Sequence, residues 1–277
     1  MKIYKSTFRQ EDGFFASIRK SLMEVFVHRW FILLLIKKQN KLMYQQDVLS
    51  LLWMIVMPLI PMTAYILLAS IKVFNKVDEM PFVFYIVIGM FVWMLMSTIV
   101  TKVMLSIKKE KNILQTTRIP ILVFMISKLG EVLFDSFIRF IAVVVLVLWF
   151  QIDVSLLSAA LLFLCLIPII LISFAIGAIS AILDMIVQDT RKVVDIFFRY
   201  GLFVSSVIFP FPTEGILGFI NEFNVFNTYI NSIRDLLYYG YISNLSTFIY
   251  SSVVGLILFV IALKTVYVFD YKIREYL

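Results

Sequence analysis

Cysteine and histidine are almost absent from this chain, since each occurs once in 277 residues. The single cysteine, Cys165, excludes a disulfide framework within the chain. One histidine and one cysteine are too few for a His/Cys metal cluster, and they argue against a Cys/His nucleophile. No stretch follows the GxxxxGK(S/T) pattern that cradles nucleotide phosphates, so the chain cannot hydrolyse ATP by that route. We therefore predict no catalytic residue, no metal and no cofactor.

Charged residues are also scarce, at 16% of the chain, whereas 62% of the residues are hydrophobic and the mean hydropathy is +0.97. A soluble domain has a much more polar balance, so the composition predicts an all-α membrane protein. The net charge of +7 comes from lysines and arginines that cluster beside apolar runs. We therefore expect the anionic partner to be the lipid headgroup surface rather than nucleic acid.

Six apolar runs predict six transmembrane helices. Residues 14–36 precede them and predict an amphipathic helix in the membrane interface, with Phe14, Phe15 and Leu22 on its apolar face. The chain then divides into a cytoplasmic N-terminus (1–47), a transmembrane domain (48–263) and a cytoplasmic tail (264–277). The predicted spans cover about residues 48–71, 80–101, 122–152, 154–183, 193–211 and 245–263.

The distribution of lysine and arginine predicts the orientation. Of the 25 such residues, 22 fall in the N-terminus, in the 102–139 and 184–199 segments, and in the tail. Only Lys72, Lys76 and Arg234 fall on the other side. Cytoplasmic segments carry the excess of cations, so both termini are predicted to be cytoplasmic.

The stretch that follows the fifth span is too apolar for an ordinary loop. The span ends at Pro210 and Pro212, and a mostly apolar run with Gly215 and Gly218 continues to Tyr229. We predict a re-entrant segment between the fifth and sixth spans, because irregular backbone at membrane depth needs cover from protein or a water-filled cavity. The alternative is an external loop capped by a surface helix.

Polar groups in this segment and aromatic side chains nearby are candidates for a path that a hydrophilic cargo takes, and the alternative is that the aromatic rings face lipid or lie in the membrane interface. Amides can bind sugar hydroxyls, and aromatic rings can stack on sugar faces. The candidate outer-gate residues are Pro212, Gly215, Asn221 and Asn224. The candidate path residues, on the first and fifth spans, are Trp53, Tyr65, Phe197, Tyr200 and Phe203.

Two groups of charges flank the start of the third span. The loop from 102 to 118 is the most basic internal loop, and its candidate residues for docking a partner subunit are Lys108, Lys109, Glu110, Lys111 and Arg118. The alternative is that these cations only anchor anionic lipid. The span itself begins with a ladder of alternating sign, formed by Lys128, Glu131, Asp135 and Arg139. Because a charge in the bilayer is costly, the ladder is expected to face protein or water. Mutual neutralisation is the favoured role, and a proton relay is the alternative.

Several stretches resemble the permeases of ATP-binding-cassette exporters of polysaccharides. The approach to the first span, KKQNKLMYQQDVLSLLWMIVMPLIP, has Trp53 and Pro58 in the family's positions, with Ser50 where a glycine is usual. The loop KNILQTTRIPI resembles the family's Asn-Leu-(basic)-x-Pro loop. Further matches are Tyr85, Gly89, Trp93, Asp189 and Arg234; departures are Gln188, Ser206 and Val225, where arginine, proline and proline are usual.

The resemblance implies an exporter that needs a separate motor. Two copies of the chain would form a channel in the bacterial inner membrane, and each would dock an ATPase subunit through the 102–118 loop and the N-terminal helix. That ATPase would bind the ATP and Mg²⁺. The cargo would be an undecaprenyl-linked glycan of the O-antigen, teichoic acid or capsule type. The alternatives are an ABC permease for a drug or small lipid, and a polyprenyl-lipid enzyme that does not transport.

Overall fold

The structure is a computed structural model that describes residues 9, 12–46, 60, 63, 80–152, 154–208, 210, 215, 218 and 224–276. Most of the predicted first span lies outside the described residues, as do Trp53, Tyr65, Pro212 and Asn221. In chain order the described helices are α1 (Phe14–Val27), α2 (Arg29–Gln46), α3 (Phe82–Met104), α4 (Ser106–Lys109), α5 (Lys111–Thr116), α6 (Ile121–Trp149), α7 (Leu156–Ile186), α8 (Thr190–Val204), α9 (Val225–Tyr238) and α10 (Leu245–Tyr276).

Four of these helices, α3, α6, α7 and α10, are long and apolar enough to cross a membrane. They confirm the coarse prediction of a helical membrane protein, and they correspond to the predicted second, third, fourth and sixth spans. α10 continues as one helix through the predicted tail. α1 and α2 divide the predicted interfacial helix at His28.

The predicted fifth span is shorter in the structure, where α8 has 15 residues and ends at Val204. Its length of about 22 Å is below the roughly 30 Å of a hydrocarbon core. The helix ends before Pro210 because α9 takes the backbone groups that would continue it. Asn227 Oδ1 accepts the Ser206 N–H at 3.1 Å, and Arg234 donates to the Ser206 carbonyl.

Buried side chains form two hydrophobic clusters at opposite ends of the long helices. One cluster joins the N-terminal parts of α3 and α7 to α9 and to Phe248 near the start of α10. The other joins the C-terminal parts of α3, α7 and α10 to α4, α5 and the start of α6. We call these ends the α9 pole and the α5 pole. Every candidate functional feature of the described chain lies at one of them.

Candidate functional site

The α5 pole carries a compact platform made of α4 and α5. Ile107 and Leu114 anchor the two short helices in the second hydrophobic cluster. Lys109, Lys111 and Arg118 are exposed on the platform, as a docking surface requires. The five predicted docking residues therefore do not share one environment. Two of them, Lys108 and Glu110, form ion pairs with other residues of the chain.

Lys108 is held by a carboxylate at the end of α7. Its Nζ lies 2.7 Å from Oδ2 of Asp184, which is almost completely buried. A buried carboxylate is stable only near a positive charge or hydrogen-bond donors. Lys108 therefore ties α4 to α7, and the cations that are left to face a partner are Lys109, Lys111 and Arg118.

The end of α10 fixes the position of the platform. Arg274 Nη1 donates to the carbonyls of Leu114 and Thr117, both at 2.9 Å, and Nη2 donates to the carbonyl of Ile119. Asp270 Oδ1 accepts the Ile121 N–H at 2.8 Å. A cation thus satisfies carbonyls at the end of α5, and an anion satisfies an amide at the start of α6. Sequence reasoning took these residues for part of a tail, although the i,i+4 spacing of Asp270 and Arg274 was visible.

Ion pairs and hydrogen bonds hold the N-terminal segment against the same end of α10. Arg9 contacts Glu24 at 2.9 Å and Asp270 at 3.1 Å. Asp12 accepts hydrogen bonds from Lys20 at 2.6 Å and from the Tyr267 hydroxyl at 2.7 Å. These two bonds hold the pKa of Asp12 below its ordinary value.

α1 packs two buried serines against the protein, together with Ile18 and Val25, and turns aromatic side chains outward. Ser17 and Ser21 are buried, and α1 packs on α10. Phe15 and Phe26, in contrast, are 83% and 67% exposed. An exposed aromatic face suits a helix that lies against lipid. This arrangement agrees with the predicted interfacial position, but the serines that the sequence placed toward water contact protein.

A chain of buried ion pairs connects the platform to the interior of the bundle. We call Glu110, Lys128, Glu131, Lys102 and Asp135 the charge chain. Lys128 contacts Glu110 at 3.1 Å and Glu131 at 3.4 Å. Lys102 contacts Glu131 at 2.7 Å and Asp135 at 2.8 Å. The charges therefore alternate in sign from the junction of α4 and α5 to the middle of α6.

The sequence predicted part of this arrangement. Lys128, Glu131 and Asp135 are buried in the protein, as the cost of exposed charge in a membrane requires. Glu131 and Asp135, however, are like charges one helical turn apart, and such pairs repel. Lys102 from α3 bridges them, and sequence reasoning missed this partner because the two helices are far apart in the chain. Its only sequence signal was its position at the end of a span.

A small cavity of about 110 Å³ adjoins the charge chain. Lys38, Gln39 and Ser127 line it together with three members of the chain. A cavity of this size is large enough to admit several water molecules. Deeper along α6, Asp135 Oδ1 and Arg139 Nε are buried and have no hydrogen-bond partner among the residues that the structure describes. Asp135, the last member of the charge chain, therefore has one carboxylate oxygen that can still accept a hydrogen bond.

At the α9 pole, Arg234 is buried with an exposed fraction of 1%. Its Nε donates to the Tyr85 carbonyl at 3.0 Å, and its Nη2 donates to the Val207 carbonyl at 2.8 Å. The guanidinium carbon lies 3.5 Å from the centre of the Tyr85 ring, close enough for a cation–π contact. Gly89 supplies the space, because a Cβ there would overlap Nη2. Three residues of the resemblance thus form one cluster.

The charge of Arg234 survives burial. Burial lowers its pKa to about 10, so the guanidinium stays protonated at neutral pH. Its partners include carbonyls just beyond the C-terminus of α8, where the helix dipole favours a cation. Arg234 therefore fastens the end of α8 to α3 and α9.

The predicted path residues on α8 lie on its exposed side. Phe197, Tyr200 and Phe203 are 46%, 58% and 43% exposed. Phe197 also packs on Trp93 and Phe226, with ring centres 6.4 Å and 5.5 Å apart. The structure therefore places the three rings on one accessible face. Their role in an export path stays a prediction.

Of the predicted gate residues, Asn224 has a role within the fold. Its side chain caps α9 by accepting the N–H groups of Phe226 and Asn227 at 3.1 Å and 3.3 Å. The same amide donates to the Val204 carbonyl at 3.3 Å and joins α9 to the end of α8. Gly215 has φ +69°, a left-handed conformation that favours glycine.

No model of a known protein family matches this chain, and no curated protein matches it. Its function therefore has to follow from its own charges, cavities and exposed faces.

These features form two groups, one at each pole. The described charges at the α5 pole are mostly paired with one another, and they connect an exposed platform to two membrane-crossing helices. The α9 pole contains a rigid junction at Arg234 and a short helix with an exposed aromatic face.

Proposed function

We propose that this chain is the transmembrane permease subunit of an ABC exporter. It translocates a lipid-linked polysaccharide of the O-antigen, teichoic acid or capsule type, and ATP hydrolysis in a separate subunit drives the movement. The observation that carries this proposal is the charge chain, because it joins an exposed cationic platform to membrane-crossing helices.

The charge chain favours the interpretation of the platform as a docking surface for an ATPase over its interpretation as a lipid anchor. A lipid anchor needs only exposed cations such as Lys109 and Arg118. It does not need Lys128, Glu131 and Asp135 buried behind the platform, where desolvation costs several kcal/mol per ion before pairing offsets it. A dock that transmits movement does need a stiff connection into the bundle, and the charge chain supplies one.

The orientation follows from the cations. The α5 pole contains the N-terminal cations, the platform and the end of α10, so we assign it to the cytoplasm together with both termini. The α9 pole then faces outward. This orientation puts the platform where a cytoplasmic ATPase can bind it.

A second copy of the chain fits the exposed side of α8. At 15 residues, α8 is short for a span and exposes apolar side chains that need lipid or protein cover. We propose that two permease chains and two ATPase subunits assemble, with the α8 helices beside the path. The exposed apolar residues of α8 are Val193, Ile196, Phe197, Tyr200, Phe203 and Val204.

Two other functions are alternatives to polysaccharide export. A permease for a drug or small lipid would share the platform, and its cargo would differ. A polyprenyl-lipid enzyme would need an acid–base cluster rather than a platform with an ion-paired connection. Neighbouring genes separate the three, because an adjacent ATPase gene among glycosyltransferase genes supports polysaccharide export.

The experiment reverses the first ion pair of the charge chain. Glu110→Lys and Lys128→Glu are each compared with the double exchange, after co-expression with an ABC ATPase subunit from the same genome. The readouts are co-purification of the ATPase and the increase in ATP hydrolysis caused by the permease. Each single change should remove most of that increase, since it places like charges together, and the exchange should restore at least part of it.

The matched control is Lys192→Glu, which reverses an exposed cation on α8 and should leave both readouts unchanged. If both single reversals stimulate hydrolysis as well as the wild type does, the charge chain does not transmit movement. If no ATPase subunit co-purifies with the wild type, the exporter proposal itself is wrong.

A further inference from the structure

A polar cavity of about 270 Å³ lies at the α9 pole between α9 and the start of α10. Its described lining contains polar side chains only, in a chain of which 62% of the residues are hydrophobic. Three asparagines, two threonines, one serine and one aspartate form it: Asn227, Asn231, Asn244, Thr228, Thr247, Ser232 and Asp235. Asn227 and Ser232 are each 3% exposed, so the inner wall is built into the protein.

Arg234 fixes the orientation of the amides in this wall. A guanidinium only donates hydrogen bonds, so Arg234 Nη1 at 3.1 Å from Asn231 identifies the facing atom as oxygen. Asn231 Nδ2 then donates to Asn227 Oδ1 at 3.3 Å, and that oxygen also accepts the Ser206 N–H. The Asn227 oxygen is thereby engaged in the protein, and its NH₂ group is the donor that remains for the cavity.

Three other lining residues, Thr228, Thr247 and Asp235, supply hydrogen-bond acceptors. The Thr228 and Thr247 hydroxyls donate to the backbone carbonyl of Asn224 at 3.4 Å and of Asn244 at 2.8 Å, which leaves their lone pairs to accept. Asp235 is a carboxylate and accepts only; its Oδ2 already accepts the Ser243 N–H at 3.2 Å. The cavity therefore combines preset donors and acceptors, most of them on α9 and the others at the start of α10.

We propose that this cavity binds a single neutral sugar ring through its hydroxyl groups. Hydroxyls donate and accept, so they match a wall of amides, hydroxyls and one carboxylate. No lysine or arginine belongs to the described lining, which disfavours a phosphate. One carboxylate is a poor set for Ca²⁺, which takes six to eight oxygen ligands.

The size of the cavity and its lack of aromatic lining set the expected affinity. Its volume is just below the roughly 300 Å³ at which drug-sized pockets begin, so one ring fits rather than an oligosaccharide. Without an aromatic stacking face in the described lining, binding should be weak, with a Kd of about 1–10 mM. Its role as an exit subsite for successive sugar units of the cargo rests on the proposed function.

The test measures protection of a cysteine at the rim of the cavity. Cys165 is buried and is replaced by alanine, and Asn244→Cys is introduced at an exposed lining position. The rate of maleimide labelling is measured for the purified chain in lipid nanodiscs, without ATP or ATPase. The probes are the methyl glycosides of mannose, rhamnose and N-acetylglucosamine, with calcium chloride and sodium phosphate as separate arms.

At a concentration of about twice the Kd, a bound glycoside should slow labelling about threefold, because two thirds of the sites are then occupied. The control is Ser246→Cys, which is exposed on the same first turn of α10 outside the lining, and its labelling should not change. Adding Thr228→Val to the Asn244→Cys chain should weaken the protection, since it removes an acceptor. If Asn244→Cys does not fold, Thr247→Cys takes its place.

The proposal is overturned if no glycoside slows labelling up to about 50 mM, several times the expected Kd. It is also overturned if only calcium or phosphate protects, or if the Ser246→Cys control is protected equally. The result is independent of the exporter proposal, because neither ATP nor the ATPase is present. A sugar that protects in a chain that recruits no ATPase would uphold the cavity and refute the exporter.

Discussion

Gly89→Ala is the smallest change that should break the α9 pole. The added Cβ would overlap Arg234 Nη2 and would lie 2.7 Å from the Val207 carbonyl oxygen. Neither neighbour is free to move, since Nη2 donates to that same oxygen at 2.8 Å and Nε is bound to the Tyr85 carbonyl. The guanidinium must therefore leave its position and lose at least one of these bonds.

The expected cost follows from the lost bonds. A hydrogen bond to a charged group contributes about 1.5–3 kcal/mol, and an uncompensated buried charge costs about 3–5 kcal/mol. We expect Gly89→Ala to lower the free energy of unfolding by about 3–5 kcal/mol. Arg234→Met should cost a similar amount, because it leaves buried carbonyls without donors. In the double variant there is no guanidinium to displace, so its cost should fall short of the sum by about 1–3 kcal/mol.

Thermal unfolding of the purified chain in detergent micelles measures these costs. At about 2–4 °C per kcal/mol, Gly89→Ala should melt roughly 6–20 °C below the wild type. Gly13→Ala is the control, because no atom lies within 4 Å of the added Cβ, and it should melt with the wild type. Melting of Gly89→Ala at the wild-type temperature, or strictly additive costs in the double variant, would refute the packing of Arg234 against Gly89.

Three further predictions concern the α5 pole. Lys102→Met should destabilise the chain by about 3–5 kcal/mol, because it leaves the buried Asp135 without its ion-pair partner and Glu131 with Lys128 alone, while Lys102→Arg should melt closer to the wild type. Arg274→Ala should release the segment after α5 and speed tryptic cleavage at Arg118, which Arg274→Lys should do less. A hydrogen bond from Lys20, the largest cause, lowers the pKa of Asp12 below 3.8, so its stabilising effect is present above that pH and is lost as the pH falls through the lowered value. Melting temperatures should therefore fall more on acidification below about pH 4 in the wild type than in Asp12→Asn.

Local features of the fold could be predicted from the sequence. Continuous apolar runs predicted the helices that became α3, α6, α7 and α10, because length and hydropathy alone determine whether a helix can cross a bilayer. The burial of Lys128, Glu131 and Asp135 was also predictable, since charge is costly in lipid.

Features that depend on distant partners could not be predicted. Lys102 reaches Asp135 across 33 residues, and Arg274 reaches Leu114 across 160. No periodicity within one helix indicates such partners. The end of α8 is set in the same way, because Arg234 and Asn227 in α9 bind the backbone of Ser206.

Three residues that the resemblance picked out are in contact at the α9 pole. The resemblance selected Tyr85, Gly89 and Arg234 as separate matches on two helices. The structure shows the physical reason they belong together, because the guanidinium occupies the space that Gly89 leaves beside the Tyr85 ring. The sequence could not show this contact, because a glycine in a helix does not indicate which side chain occupies the space beside it.

ATP-driven movement of glycan into sealed vesicles tests the exporter proposal most directly. This chain and the proposed ATPase subunit are reconstituted with an undecaprenyl-linked glycan, and ATP is added outside, where it reaches the complexes whose ATPase faces outward. The account predicts that the glycan becomes protected from an external glycosidase only when both subunits and hydrolysable ATP are present. Glycan that is protected equally without ATP or without the ATPase, or that stays fully accessible with both, would contradict it.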